Sequence, residues 1–203
     1  MKDYLTHIVV ALAVIQLCNH IRSCIAHGES PDPGTTDYIK TSCNATMYPR
    51  LCCNVLKIHA GKIGMSAKVL SQTALDIALE FTKQTHITAK GYSETKALNP
   101  VVTSAMRDCV EELNVAVQML QKSKVELGMV IKGSTSGLHV SNVQTWVSAA
   151  LTNLNTCKDG FVDHNLNGTV EKITTRKTVK AAHLTSNALA LINLCVSAKV
   201  TLP

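Results

Sequence analysis

Aromatic side chains make up only 3% of the 203 residues, with one tryptophan, two phenylalanines and four tyrosines. Beyond the first 26 residues they are Tyr38, Tyr48, Phe81, Tyr92, Trp146 and Phe161, too scattered to form a platform on which sugars or bases could stack. Trp146 lies one position off an apolar helical stripe and reads as a packing residue. Catalytic signatures are absent as well. There is no HExxH or CxxC spacing, no GxSxG elbow, no phosphate-binding Walker loop and no dinucleotide glycine fingerprint. His27, His59, His86, His139, His164 and His183 are spread without ligand spacing, so neither a metal site nor a cofactor site is expected. The one adjacent carboxylate pair, Glu111 and Glu112, points to two faces of a helix and does not meet on one substrate. An enzyme reading has no residues to rest on.

What is present begins with an export signal. Lys2 precedes an apolar stretch from Ile8 to Leu17 and small residues at Cys24 and Ala26, a signal-peptide pattern over residues 1–26 with cleavage after Ala26. The stretch is about half of the roughly 20 residues needed to span a bilayer, and no second apolar stretch of spanning length is read further on, so no membrane partner is expected. Removal of this segment takes Cys18 and Cys24 and leaves six cysteines in a chain folding in an oxidising compartment, where a disulfide framework is expected. The rest, about 175 residues, is enough for one domain with its own core. Net charge is +6 for the whole chain, and about one unit of it leaves with the signal. With no basic run longer than Arg176-Lys177, nucleic acid is not an expected partner; a basic exterior favours weak association with an acidic polysaccharide matrix.

Pro, Gly and Ser/Thr crowd residues 28–36, so 27–36 reads as a flexible leader and the folded domain, 37–203, as starting near Asp37. Residues 37–61 read as a helical hairpin: a short turn up to Cys43, a bend from Asn44 to Tyr48, and a second helix opened by Pro49. Residues 64–200 carry four apolar stripes stepping by three and four. They run through Leu70, Ala74, Ile77 and Phe81; through Val102, Met106, Cys109, Leu113, Val117 and Leu120; through Val143, Val147, Ala150, Leu154 and Cys157; and through Leu184, Ala188, Leu191 and Cys195. That stepping predicts an all-α, four-helix up-and-down bundle. Asn99 before Pro100 reads as an N-cap, and Ser141 with Gln144 as a capping box; 133–137 and 163–168 read as the later connections.

The cysteine spacing suggests one small stapled hairpin, Cys43 and Cys52, and one long-range staple between helices, Cys109 and Cys157. Cys53 and Cys195 read as unpaired. A bridge between these two, or an intermolecular bridge through Cys53, are the alternatives, and Cys53 could compete with Cys52 for Cys43. Sequons place candidate N-glycosylation at Asn44 and Asn167; a third, Asn155-Thr156-Cys157, is the weaker variant.

Taken together, SCNATMYPRLC (42–52), DCVEEL (108–113), NVQTWVSAALTNLNTCKDGF (142–161) and LTSNALALIN (184–193) closely resemble the plant invertase and pectin methylesterase inhibitor family over the span from Asp37 to about Ser197. The resemblance implies a four-helix bundle with an N-terminal helical hairpin, bridges Cys43–Cys52 and Cys109–Cys157, and a secreted inhibitor acting in the plant cell wall (apoplast); the chain is expected to be a monomer. Its wording in NVQTWVSAALT is similar to the pectin methylesterase inhibitors, and the Pro-Lys-Phe motif of the invertase inhibitors is missing, with KDGF after Cys157. Acid invertase is the alternative target, and a non-inhibitory receptor-binding bundle the further one. In the esterase inhibitors the second and third bundle helices cover the pectin-binding cleft in a one-to-one complex. By position relative to the cysteines, Glu111 and Asp159 match the acidic contacts, whereas Val115 and Gln118 stand where the family has acids. Because no catalytic domain follows before Pro203, the chain reads as a stand-alone inhibitor.

Overall fold

A computed structural model describes residues 32–95, 98–131, 137–163, 166 and 168–200. All of its elements are helical. A hairpin region comprises α1 (Pro33–Asn44), α2 (Pro49–Leu56), a 3-10 turn (Lys57–His59) and α3 (Ala60–Ile63). Four long helices follow: α4 (Ala67–Ser93), α5 (Pro100–Ile131), α6 (Gly137–Asp163) and α7 (Thr169–Val200). Each long helix packs on its neighbour in sequence, and α7 returns to α4, so the four close into the expected up-and-down bundle. Residues 1–31, which include the candidate signal and the first half of the leader, lie outside the described residues, as does Asn167. Helix α1 begins at Pro33, inside the stretch that sequence composition assigns to the leader.

The cores of α5 and α6 follow the apolar stripes. On α5 the buried seam is Val102, Met106, Cys109, Leu113, Ala116, Leu120, Ser123 and Leu127, passing through Ala116 where the sequence pattern pointed to Val117. On α6 it is Val143, Val147, Ala150, Leu154, Cys157 and Phe161. Alternating steps of four and three keep each seam on one face at a mean period of 3.5, the geometry of shallow left-handed packing.

On α4 the seam is rotated by one residue from the expected one. Leu70 and Ala74 are buried, but Ile77 and Phe81 are only half-buried, and the most enclosed line is Ser71, Leu75, Ala78, Thr82, Thr85 and Ala89. Local hydrogen bonds make this possible: Ser71, Thr82 and Thr85 donate to the carbonyls of Ala67, Ala78 and Phe81, at 2.8, 2.7 and 2.8 Å, so the hydroxyls enter the core already bonded. The Ser71 hydroxyl also lies 2.9 Å from the Leu191 carbonyl and links α4 to α7.

The facing helix α7 buries Thr174, Thr178, Ala181, Thr185, Ala188, Ile192 and Cys195 on a similar seam, together with the expected Leu184 and Leu191. The Thr178 hydroxyl sits 3.5 Å from the Cys157 sulfur, while the hydroxyls of Thr174 and Thr185 have no hydrogen-bond partner among the described residues. Contrary to the sequence reading, α7 does contain a second stretch, Thr169–Ser197, long and apolar enough to cross a membrane by composition. Half of its most apolar window is buried within the protein, and its seam forms one wall of the bundle core.

Two helix starts test the capping rules. Asn99 caps α5 as expected, its side-chain oxygen accepting from the Val102 amide at 2.9 Å, with Pro100 as the first helical residue. Ser141 does not cap α6, which starts a turn earlier at Gly137. His139 in that added turn pairs with Glu126 of α5, and Gln144 donates to Asn193 of α7 at 2.9 Å. Tertiary partners therefore override the local signal. Gly64 ends α3 at φ 53°, a left-handed conformation that favours glycine, and lets the chain turn into α4.

The hairpin is more than an appendage. Cys43 and Cys52 are bridged and buried, and the bend between α1 and α2 is anchored to α7 by Asn187 and His183. Asn187, 3% exposed, accepts from the Tyr48 amide at 3.1 Å and donates to the Tyr48 carbonyl at 3.0 Å, while the Tyr48 ring stacks on His183 with centroids 3.6 Å apart. Asn187→Ala leaves the Tyr48 amide without its partner and the Tyr48 carbonyl with the Cys52 amide alone. The expected cost is about 2 kcal/mol, read as a lower melting temperature and faster amide exchange around Tyr48.

Burial holds the His183 imidazole below its ordinary value of 6.5, because the charged form loses hydration. The unfolded chain then takes up this proton first. The contribution of this contact is complete above the ordinary imidazole range and is lost as pH falls through the lowered folded value. Tyr48 amide exchange, corrected for its intrinsic pH dependence, is expected to show less protection at pH 5 than at pH 7.5.

Candidate functional site

The Cys109–Cys157 bridge joins α5 to α6 at the buried seam. Lys122 over the Trp146 ring, 5.9 Å from its centroid, and His139 against Glu126 continue the same antiparallel register along the pair. Three cross-links of different chemistry thus align the two helices.

Outside that seam each helix presents a polar stripe. Along α5, Glu111, Val115, Gln118 and Lys122 recur at steps of four, three and four; all are exposed except Val115, which is half-buried. Along α6, Thr145, Ser148, Thr152, Asn155 and Asp159 are all exposed. The α6 stripe carries hydroxyls and one amide ahead of a single carboxylate, and it offers hydrogen bonds with little side-chain entropy to lose.

Glu111 and Asp159 stand two residues beyond the two bridged cysteines, so the disulfide places both at one end of the α5–α6 pair. Asp159 keeps 54% of its side chain exposed and pairs with Lys158 at 3.0 Å. The bridge also borders a hollow of about 210 Å³ lined by Asp108, Glu112, Thr156 and Gly160. Glu112 is half-buried there, and its carboxyl is held above the ordinary glutamate value, first by burial and then by the like charges of Glu111 and Asp108. Glu111 and Glu112 differ in exposure, as expected of neighbours on a helix, yet they remain electrostatically coupled.

Asp108 and Glu112 thus belong to the acidic end of the pair, although sequence reasoning singled out only Glu111 on this helix. Their spacing held the signal, since positions i and i+4 share a helix face. Cys53 and Cys195 are unbridged, the former half-buried and the latter buried. Asn44 is exposed at the hairpin bend. No group of three His, Cys, Asp or Glu among the described residues is placed to hold a metal ion.

A family model described as plant invertase/pectin methylesterase inhibitor matches residues 37–191. Pectinesterase inhibitor 11 from Arabidopsis thaliana is 38% identical, covering 77% of this chain and 79% of its own length. Pectinesterase inhibitor 9 from the same plant is 40% identical, over 81% of this chain and 83% of its own. At 22% identity, the crystal structure of mutant form A of an Arabidopsis pectin methylesterase inhibitor shares the fold with a TM-score of 0.64, covering 77% of this chain and 95% of that one. With its helical ring, its two bridges and these matches across most of its length, the chain belongs to the plant invertase/pectin methylesterase inhibitor family.

Proposed function

We propose that this chain is a secreted inhibitor of pectin methylesterase, which lays its α5–α6 face across the pectin-binding cleft of the enzyme in a one-to-one complex and so limits demethylesterification in the plant cell wall. The observation that carries this reading is the similarity, at 38% and 40% identity over most of both chains, to relatives named pectinesterase inhibitors. The dimensions of the face support it. Helices of 32 and 27 residues, cross-linked side by side, offer a strip about 40 Å long and 20 Å wide. That is about 800 Å², the area each partner gives to a stable interface. A covalently aligned pair also loses little freedom on binding, which favours occlusion by a rigid wedge.

Glu111 and Asp159 serve as acidic contacts to basic or polar groups at the cleft rim. Residues 1–26 act as the export signal, the protein reaches the apoplast as a monomer, and Asn44 and Asn167 are the glycan acceptors. The excess positive charge favours loose association with acidic wall polysaccharide.

The decisive experiment titrates purified, oxidised protein against a plant pectin methylesterase and an acid invertase side by side, at pH 5 and pH 7. Stoichiometric loss of esterase activity alone is the expected result. Loss of invertase activity alone transfers the reading to the other branch of the family, and loss of neither, with receptor-dependent binding to plant cells, makes the chain a non-inhibitory ligand.

A further inference from the structure

Between α1 and α2 lies a groove of about 420 Å³ whose charged lining is of one sign: Lys40 from α1, Arg50 from α2 and Lys57 from the 3-10 turn. All three are exposed, none takes part in an ion pair between described residues, and no carboxylate lines the groove. They are also spread along it. Arg50, Asn54 and Lys57 follow at steps of four and three, and Thr36, Lys40 and Asn44 at steps of four, so each helical segment turns one stripe toward the groove. Arg50 and Lys57 are separated by about 10 Å along the axis. One small anion would meet one or two of these cations, whereas a chain with carboxylates at regular intervals meets all three.

The remaining lining has a complementary character. Thr36 and Asn54 supply a hydroxyl and an amide that suit ring hydroxyls, and Ile39, Pro49 and Cys53 form a floor of low polarity. No aromatic side chain lines the groove, so recognition here rests on charge and hydrogen bonds and not on stacking. The concave shape also favours a chain over a bilayer, whose flat surface would meet the rims and leave the floor untouched.

We propose that the α1–α2 groove is a binding site for a linear polyuronate, a carbohydrate chain bearing carboxylates on its successive rings. This deepens and rests on the reading of a basic protein associated with acidic polysaccharide, to which it assigns an address; it is independent of esterase inhibition, because none of these residues lies on α5 or α6. Methyl esterification of the chain removes the charges the groove recognises.

The test compares wild type, K40Q/R50Q/K57Q and a control, K90Q/K172Q/R176Q, which removes the same charge from exposed positions of α4 and α7. Each is titrated with a purified oligogalacturonate, with its fully methyl-esterified form, and with vesicles containing phosphatidylserine. Wild type is expected to bind the free acid and not the ester, with at least about tenfold weaker binding in the groove variant and within about twofold of wild type in the control. A local readout comes from Cys53: bound oligogalacturonate slows its alkylation by iodoacetamide in wild type and not in the groove variant, while Cys195 is buried. Retained esterase inhibition by the groove variant would report an intact fold and keep the two proposals separable. Equal loss in both variants would leave only diffuse attraction and overturn the site. Absence of binding by wild type would remove the polysaccharide association as well, and preference for vesicles would replace the polyuronate with a membrane surface.

Discussion

A C109A/C157A variant is expected to melt on the order of 10 °C below the wild type. The bridge spans a sequence separation of 48. In the chain-entropy account, a loop of that size stabilises the fold by about 4 kcal/mol by limiting the unfolded ensemble. For a folded unit of this size each kcal/mol corresponds to about 2–4 °C. The shorter Cys43–Cys52 bridge, with a separation of 9, contributes about 2.5 kcal/mol on the same basis, so C43A/C52A should lose less. Thermal unfolding followed by circular dichroism, with thiol counts confirming the state of each variant, checks both values. A C109A/C157A variant that melts with the wild type would remove the long bridge from any role in stability, and a larger loss for the short bridge would contradict the loop-length argument.

E111A/D159A is expected to raise the inhibition constant for pectin methylesterase by about tenfold to a hundredfold with the melting temperature nearly unchanged. Both side chains are exposed, so their removal hardly touches the fold. In a complex they would face the enzyme, where truncating a charge contact leaves its partner unpaired. Both sit beside the bridge, and the effect should therefore be insensitive to changes elsewhere in the bundle. An unchanged inhibition constant at pH 7 would show that the docking face lies elsewhere or that it binds through the α6 hydroxyl stripe alone.

The sequence was most legible where burial and apolar composition coincide. The α5 and α6 seams could be read because Met106, Leu113, Val147 and Leu154 are both hydrophobic and enclosed. On α4 the same rule selected the flank. Ser71, Thr82 and Thr85 are polar by composition, yet they bond to carbonyls one turn back and pack as small side chains. The Ser141 capping signal failed for the opposite reason: a sound local motif yielded to contacts with α5 and α7. Asn187 carried no local signal, since the peptide it clamps is 139 positions away. At the candidate docking face Glu111 and Asp159 could be placed by counting from cysteines, but the coupling of Glu112 to Asp108 required its depth beside the bridge.

The clamp and the long bridge also imply how the molecule responds to force. A pull at Pro33 loads α1 and reaches the bundle through the hairpin, whose bend is held to α7 by two amide hydrogen bonds and one ring stack. The Cys43–Cys52 link keeps the hairpin from unravelling, so the load passes to the Asn187 contact and to the packing of Ile39, Leu56 and Ile63 on the bundle core, which yield well before any covalent bond. The α5–α6 pair, bolted by Cys109–Cys157, lies beyond that weak joint. Tension then peels the hairpin away first and leaves the candidate docking face assembled, as a mechanical fuse protects the component behind it.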